Sequence, residues 1–323
     1  MKGSLTAERL DRALRAYALT VDSVSFLKQG SFCEVYRFDA GGRSYVARLR
    51  SAMAQERDVL FAREWGDVVS AEANVPRHLA PVDSVPTIND RVLDVAPYID
   101  HDPQAGDDVS VKGWVEVGRM VGRMHRLGSS VIDRAAVALP YGNHPHDALL
   151  FGYFDRMKAR TQSEHLSVIA RSERILDLVR SGLRNIQDAL PRGVVHGDLH
   201  FWNVLYREDD PVAIIDLDFL QRGVLLHDLA YPFIWLSAWE KDRGGAWANV
   251  GERFLAAYEE GRGFGLTKEE QLAFPYLRVW INLFFFLFKV HTSWDGLEDA
   301  VGDLELAEAT SVELGLGVFG NLH

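Results

Sequence analysis

The chain has 323 residues, of which 47% are hydrophobic and 25% charged, and this composition excludes an intrinsically disordered protein. Its length exceeds one average domain of ~100 to 200 residues, so we expect one large domain or two lobes that share a cleft. The 35 Lys and Arg against 46 Asp and Glu give a net charge of −11. A net negative charge repels the phosphate backbone of nucleic acids and anionic lipids. The sequence therefore predicts neither a nucleic-acid nor a membrane partner.

The first third of the chain has the pattern of a small sheet with helices. Alternating or β-branched apolar residues indicate strands, helical spacing of apolar residues indicates helices, and Ala40-Gly41-Gly42 is a hairpin turn. A second turn is predicted at residues 87–90. The predicted elements are, in order, a helix over 5–18, strands over 21–29, 34–39 and 44–50, a helix over 54–74, and strands over 80–85 and 91–95.

Beyond the polar stretch 100–108, helical periodicity begins at Val109 and dominates to Leu314. Strand-like character interrupts it only at 194–206 and 212–219. The most apolar run, Trp280–Phe288, is far shorter than the ~18 to 20 apolar residues of a membrane span, so it predicts a buried helix.

These patterns predict an α+β fold of two lobes, a small β-rich N-terminal lobe and a larger, mostly helical C-terminal lobe. The expected boundaries are 1–96 for the first lobe, 97–108 for the hinge and 109–323 for the second lobe. The active site is expected in the cleft between the lobes. The single cysteine, Cys33, and an N-terminus without an apolar signal core predict a reducing, cytoplasmic compartment. We expect a monomer or a homodimer.

The most informative segment is Val194-Val195-His196-Gly197-Asp198-Leu199-His200-Phe201-Trp202-Asn203-Val204-Leu205, followed by Ala213-Ile214-Ile215-Asp216-Leu217-Asp218-Phe219. An Asp five residues before an Asn, then a short hairpin that ends in another Asp, fits phosphoryl transfer from a magnesium nucleotide. In that chemistry the first Asp accepts a hydroxyl proton, and the Asn and the later Asp hold metal across the phosphates.

On these residues the chain resembles the aminoglycoside phosphotransferase and choline kinase superfamily, which includes homoserine kinases and shares the protein-kinase-like fold. The resemblance implies that Asp198 is the catalytic base, that Asn203 and Asp216 ligate magnesium with Asp218 beside them, and that His196 braces the loop. It also implies that Asp228 anchors the amides of the catalytic loop, whereas an ordinary helix N-cap is the alternative role.

Two other interpretations of the motif stay open. The acids could be turn residues on a hairpin without chemistry. Alternatively His196, Asp198 and His200 alternate along an extended stretch, so they could ligate zinc on one face with Asp216 or Asp218. Bound zinc would distinguish this hydrolase from a kinase.

In the first lobe, Gly30 and Ser31 follow a predicted strand and would place backbone amides over the nucleotide phosphates. Arg48 stands where the family usually has the Lys that contacts the α and β phosphates. Glu64 on the next helix is its predicted acidic partner, with Glu56 as the alternative. The resemblance places the adenine-binding hinge at Ala96 and Tyr98.

The acceptor is expected against the helical lobe. Tyr231, Trp235 and Trp239 recur every four residues and form one stripe, which lines either the core or the cleft. If the stripe lines the cleft, aromatic faces suit a sugar ring, an aromatic alcohol or a cationic amine. His200 and Trp202 are further candidates.

Only eight residues separate Phe219 from Asp228, which leaves no room for a peptide-docking segment. The sequence therefore predicts an ATP-dependent kinase, with Mg²⁺ and with GTP not excluded, that phosphorylates a hydroxyl of a small molecule. Candidate acceptors are an amino sugar or aminoglycoside-like antibiotic, an amino alcohol and a homoserine-like metabolite. A catalytically idle nucleotide-binding module is the alternative.

Overall fold

The computed structural model describes residues 7–30, 33–103, 109–135, 147–160, 165–292 and 297–316. It has a small antiparallel sheet in the first third of the chain and a mostly helical remainder, which is the predicted fold class. The lobe boundaries at 96 and 108 stay a prediction.

The N-terminal sheet has five antiparallel strands in the order β1-β2-β3-β5-β4. The strands are β1 (Ser23–Gln29), β2 (Glu34–Ala40), β3 (Arg43–Leu49), β4 (Thr87–Ile88) and β5 (Arg91–Pro97). The β2–β3 turn consists of Gly41 and Gly42, whose positive φ angles of 56° and 74° suit a two-residue hairpin. Helices α1 (Ala7–Leu14) and α2 (Glu56–Ala73) accompany the sheet, and α1 packs Leu10 and Leu14 into its core.

The predicted strand over 80–85 is wrong. That stretch is irregular, and the short strand β4 lies at Thr87–Ile88, inside the segment predicted as a turn. Pro81 and Pro86 cannot donate to a sheet ladder, which limits pairing between them. The actual turn is Asn89-Asp90, with φ angles of 51° and 60°.

The remainder of the chain contains eight described helices and two small strand pairs. The helices are α3 (Val111–Gly128), α4 (Asp147–Arg160), α5 (Leu166–Leu183), α6 (His227–Ala230), α7 (Phe233–Arg243), α8 (Val250–Arg262), α9 (Lys268–Thr292) and α10 (Leu297–Glu313). The antiparallel pairs are β6 (Arg192–Val195) with β9 (Gln221–Val224), and β7 (Val204–Arg207) with β8 (Asp210–Ile214). The four-residue strand β9 is absent from the sequence-based prediction.

Close packing of α3 on α8 forms the centre of the helical core. A Cβ at Gly118 or Gly122 of α3 would overlap the backbone of α8, so these two positions need glycine for the helices to approach this closely. Around this contact lie the fully buried Trp114 and Phe254, whose rings meet edge to face. The core fixes α3, and α3 in turn packs against β6 and β8.

Of the described helices, α9 alone has the length and apolar composition that a membrane span requires. Its central residues Ile281, Phe284 and Leu287 are buried in the helical core of this chain. The buried helix predicted at 280–288 is therefore confirmed.

Candidate active site

Two adjoining cavities lie between the N-terminal sheet and the segment that carries β6 to β9. The loop cavity, about 490 Å³, is lined by Asp198, His200, Tyr231 and Phe219 among others. The strand cavity, about 410 Å³, is lined by residues of β1, β2, β3, the end of β5 and β7 and by the segments that follow these strands, among others. Residues that line both cavities are Lys28, Gly30, Cys33, Trp202, Asn203 and Asp216.

The catalytic loop leaves β6 through a turn that only glycine fits. Gly197 has a φ of 79°, and a Cβ there would lie 2.7 Å from the carbonyl oxygen of Phe219. His196 is fully buried, and its Nε2 lies 2.9 Å from the carbonyl oxygen of Ile215. The backbone amide of Asp198 donates to His196 Nδ1 at 3.3 Å. Both imidazole nitrogens therefore bind backbone, and they hold the turn in place.

Asp198 faces the loop cavity with only 7% of its surface exposed. Asn203 Nδ2 donates to the Asp198 carbonyl at 2.9 Å and to its Oδ2 at 3.1 Å. The hydroxyl of Tyr231 also hydrogen-bonds the Asp198 carboxylate, and burial together with this charge raises the pKa of Tyr231 well above its ordinary value. Tyr231 is therefore a neutral donor at physiological pH, and the carboxylate is held from two sides.

His200 is packed beside the same carboxylate. Its Nε2 lies 3.5 Å from Asp198 Oδ2 and 3.1 Å from Asn203 Nδ2. The imidazole is surrounded edge-on by the rings of Trp202, Tyr231 and Trp235, with centroid distances of 5.5 to 6.0 Å. The ring has little freedom to turn away from Asp198.

Asp228, at the start of α6, is fully buried behind the catalytic loop. It accepts the backbone amides of His196 at 2.6 Å and Gly197 at 2.9 Å, and it lies 3.1 Å from His125 Nε2. Burial opposes its charge, but hydrogen bonds from His125 and His227 hold the pKa of Asp228 well below its usual value. Its partners are in the loop and in α3, so it ties the loop to the helical core.

Asp216 and Asp218 end the β8 segment and differ in their surroundings. Asp216 has a positive φ of 66° and a side chain that is 32% exposed at the junction of the cavities. Asp218 is 7% exposed, and its Oδ1 accepts from Arg48 at 2.7 Å and lies 3.0 Å from Arg50 Nε. Burial raises the pKa of Asp216, whereas for Asp218 the arginines outweigh burial and lower it.

The predicted pairing of Arg48 with Glu64 is not formed. The carboxylate of Glu64 binds Arg134 instead, and the alternative, Glu56, accepts the backbone amide of Val85 at 3.2 Å. Arg48 Nη2 donates to Asp216 Oδ1 and to Asp218 Oδ1, both at 2.7 Å. Arg48 therefore pairs with the two acids that follow β8 and not with those of α2.

The predicted hinge residues Ala96 and Tyr98 both line the strand cavity, and their role in binding adenine stays a prediction. The backbone amide of Tyr98 donates to the Ser44 carbonyl at 3.0 Å, and Ala96 lies opposite Val46 in the β3–β5 pair. Backbone groups alternate in direction along a strand, so the outward-facing groups are the Pro97 carbonyl and the Ile99 amide. Both residues line the strand cavity.

Gly30 closes a tight turn by donating its amide to the Cys33 carbonyl at 2.8 Å. Ser31, also predicted at the phosphates, lies outside the described residues. Cys33 lies beside Gly30 and lines both cavities, with its Sγ 4.0 Å from Arg48 Nη2. Burial raises the pKa of this thiol.

The predicted aromatic stripe is not on one helix, because Tyr231 precedes α7 whereas Trp235 and Trp239 lie on it. Tyr231 lines the loop cavity, whereas Trp239 packs in the core against Trp114 and Phe201. Trp239 lines neither of the two cavities. Trp235 is half-buried, and Trp202 is 50% exposed at the junction of the cavities.

The zinc alternative lacks its ligand set. Among the described residues, no group of three or more His, Cys, Asp or Glu side chains could hold a metal ion. The bonds of His196 to backbone also remove it from such a set.

Sequence reasoning missed His125 and Arg50. His125 is a single polar side chain on the apolar face of α3. A polar residue at such a position is the sequence signal that could have identified it. Arg50 lies two residues after Arg48, on the same face of the strand, and is 1% exposed. Its buried charge was not visible from composition.

Comparison with known proteins gives one family. Residues 24–270 match the family model described as phosphotransferase enzyme family. A homoserine kinase from Bradyrhizobium diazoefficiens is 34% identical over 166 residues, which are 50% of this chain and 46% of that protein. The chain spans about half the length of the curated relatives it matches.

Similarity to solved structures extends over nearly the whole chain. An amicoumacin kinase in complex with AMP-PNP, Ca²⁺ and Ami superposes with a TM-score of 0.69 at 15% identity, covering 94% of this chain and 93% of that one. A spectinomycin phosphotransferase in complex with ADP and spectinomycin gives 0.62 at 16% identity, covering 96% and 99%. At these identities the likeness shows the fold.

Proposed function

Because the chain belongs to the phosphotransferase enzyme family, we propose that it is an ATP-dependent kinase that transfers the γ-phosphoryl group to a hydroxyl of a small molecule. The observation that carries this proposal is the position of three residues: Asp198, Asn203 and Asp216 all line the loop cavity, and Asn203 and Asp216 also line the strand cavity. Phosphoryl transfer needs a base, metal ligands and two substrate sites that share a wall, and this junction offers all of them.

The nucleotide base belongs in the strand cavity. Val35, Val46 and Leu205 provide apolar faces above and below a flat ring. The Pro97 carbonyl and the Ile99 amide are the acceptor and donor available to the edge of adenine. The phosphates would then extend toward Gly30 and Arg48, at the junction.

Asn203 and Asp216 fit a magnesium ion by their chemistry. Both present oxygen atoms at the junction, and Mg²⁺ prefers carboxylate and amide oxygens together with phosphates. Since Asn203 Nδ2 is bound to Asp198, the amide oxygen is the atom of Asn203 left for a metal. Bound magnesium would supply neutralisation of the phosphate charge.

Asp198 is the proposed catalytic base. Its carboxylate accepts the proton of the acceptor hydroxyl as the acceptor oxygen bonds to the γ-phosphorus and the bond to the bridging oxygen of ADP breaks. Tyr231 and Asn203 hold the carboxylate in one orientation. After product release the proton passes from Asp198 to water.

The loop cavity is the proposed acceptor site, and its size favours a small molecule. His200, Tyr231 and Trp202 line it, and the exposed face of Trp202 can pack against a ring or an alkyl chain. The candidates are an amino sugar or aminoglycoside-like antibiotic, an amino alcohol and a homoserine-like metabolite. Homoserine is the acceptor named for the curated relatives.

A coupled assay of ADP release over these acceptor classes tests the proposal. We expect one class to stimulate ADP release above background, and we expect Asp198→Asn to abolish the stimulation while nucleotide still binds. Nucleotide binding without acceptor-dependent ADP release over the whole panel would instead support the idle nucleotide-binding module.

A further inference from the structure

Asp218 has the surroundings of an ion-pair anchor. Its Oδ1 is 2.7 Å from Arg48 Nη2 and 3.0 Å from Arg50 Nε. The side chain is 7% exposed, whereas that of Asp216 is 32% exposed. Both acids line the loop cavity and both accept a hydrogen bond from Arg48 Nη2 at 2.7 Å, but Asp216 is the more exposed and also lines the strand cavity, whereas Asp218 lies between Arg48 and Arg50.

Arg48 needs such an anchor because α2 does not supply one. A buried guanidinium must be paired, since removing its charge from water is costly. The two candidate acids of α2, Glu64 and Glu56, are engaged by Arg134 and by the Val85 amide. Asp218, from a segment 170 residues later in the chain, takes the place that an acid of α2 was expected to fill.

Arg50 fixes Asp218 from the side away from the cavities. Arg48 and Arg50 lie two residues apart and so project to the same face of the sheet. Arg50 is 1% exposed, and its Nη1 lies 3.9 Å from Oδ2 of the equally buried Asp94 on β5. Of these two ion pairs of Arg50, the one with Asp218 is the shorter.

We propose that Asp218 is a positioning residue that holds Arg48 for the nucleotide phosphates, with Arg50 as its second clamp, and that Asp218 is not a ligand of the metal ion. The proposal rests on the proposed nucleotide site. The proposal gives the two acids different roles. Asp216 faces the metal ion, and Asp218 orients the Arg48 guanidinium that contacts the phosphates.

Three calorimetric titrations separate the two roles. They measure the binding of adenosine, of ADP in the presence of EDTA and of ADP in the presence of magnesium. We expect Asp218→Asn to lower the affinity for ADP about tenfold, both with EDTA and with magnesium present, because Arg48 loses a charged hydrogen bond. Adenosine affinity should not change. Asp216→Asn is the matched variant and should lose the enhancement of ADP affinity by magnesium. An Asp218→Asn protein that keeps its metal-free ADP affinity but loses the magnesium enhancement would overturn the proposal.

A second variant decides the matter even if Asp218→Asn does not fold. Arg50→Lys keeps the charge and Asp218 but loses the Nε contact, so metal-free ADP affinity should fall severalfold with the magnesium enhancement unchanged. Unchanged ADP affinity in Arg50→Lys would count against the clamp. If wild-type protein binds neither adenosine nor ADP, the nucleotide site itself is refuted.

Discussion

Replacement of Asp228 by Asn should cost far more stability than the loss of an ordinary helix cap. The carboxylate accepts two amides of the catalytic loop and contacts His125, all without solvent. Asparagine keeps one acceptor oxygen but turns an NH₂ group toward a backbone N–H. Hydrogen bonds to a charged group contribute ~1.5 to 3 kcal/mol each, so we expect a loss of about 3 to 5 kcal/mol.

Urea unfolding followed by tryptophan fluorescence measures this loss. Glu252→Gln is the control, because Glu252 is an exposed acid in the first turn of α8, where a substitution should change stability by less than about 0.5 kcal/mol. Loss of a simple N-cap costs about 1 kcal/mol. A loss that small for Asp228→Asn would refute the anchoring of the loop and favour the capping role.

The same substitution should alter the dependence of stability on pH. The pKa of Asp228 is held well below its ordinary value in the folded protein. Such a group stabilises the native state above its unfolded pKa of about 3.9, and this stabilisation is lost as the pH falls through the folded value. The stability difference between wild type and Asp228→Asn should therefore narrow in strong acid. A constant difference would contradict this reasoning.

Three further predictions concern the junction of the cavities. Asp216→Ala should remove the magnesium-dependent part of ATP affinity in calorimetry, and an unchanged affinity would take Asp216 out of the metal site. Asp198→Asn should lower turnover by at least ~10² to 10⁴ with nucleotide and acceptor affinities nearly intact, and near-normal turnover would move the base elsewhere. Alkylation of Cys33, slow because burial raises the pKa of its thiol, should slow further with bound nucleotide. Equal rates with and without nucleotide would place the phosphates away from Gly30.

Local periodicity predicted the elements that are long or strongly patterned. Strands β1 to β3 and helix α2 begin and end within about three residues of their predicted bounds, and α3 begins close to its predicted start, because their apolar spacing repeats over several turns or pleats. The strand pattern at 80–85 failed because two prolines limit its pairing, and the four residues of β9 are too few to show a period.

The candidate site was predictable where its residues are close in sequence and unpredictable where they are not. Asp198, Asn203 and Asp216 lie within 19 residues, and the structure brings them together. The partners of Arg48 are 168 and 170 residues away, and no local pattern specifies which of the many acids will meet it. Which backbone groups of the predicted hinge face the strand cavity was also unpredictable, because side-chain patterns do not reveal toward which edge a strand's backbone groups point.

The residues that line both cavities limit how acceptor preference can diverge among related proteins. A substitution at Lys28, Cys33 or Trp202 alters the surroundings of both proposed substrates at once, so a gain for a new acceptor is accompanied by a change toward the nucleotide. Gln29 lines the loop cavity and not the strand cavity, but its side-chain amide donates to the carbonyls of Gly30 and Cys33, so it is coupled to the shared wall as well. We therefore expect laboratory evolution of this chain toward a new acceptor to need paired substitutions, one of which restores nucleotide binding.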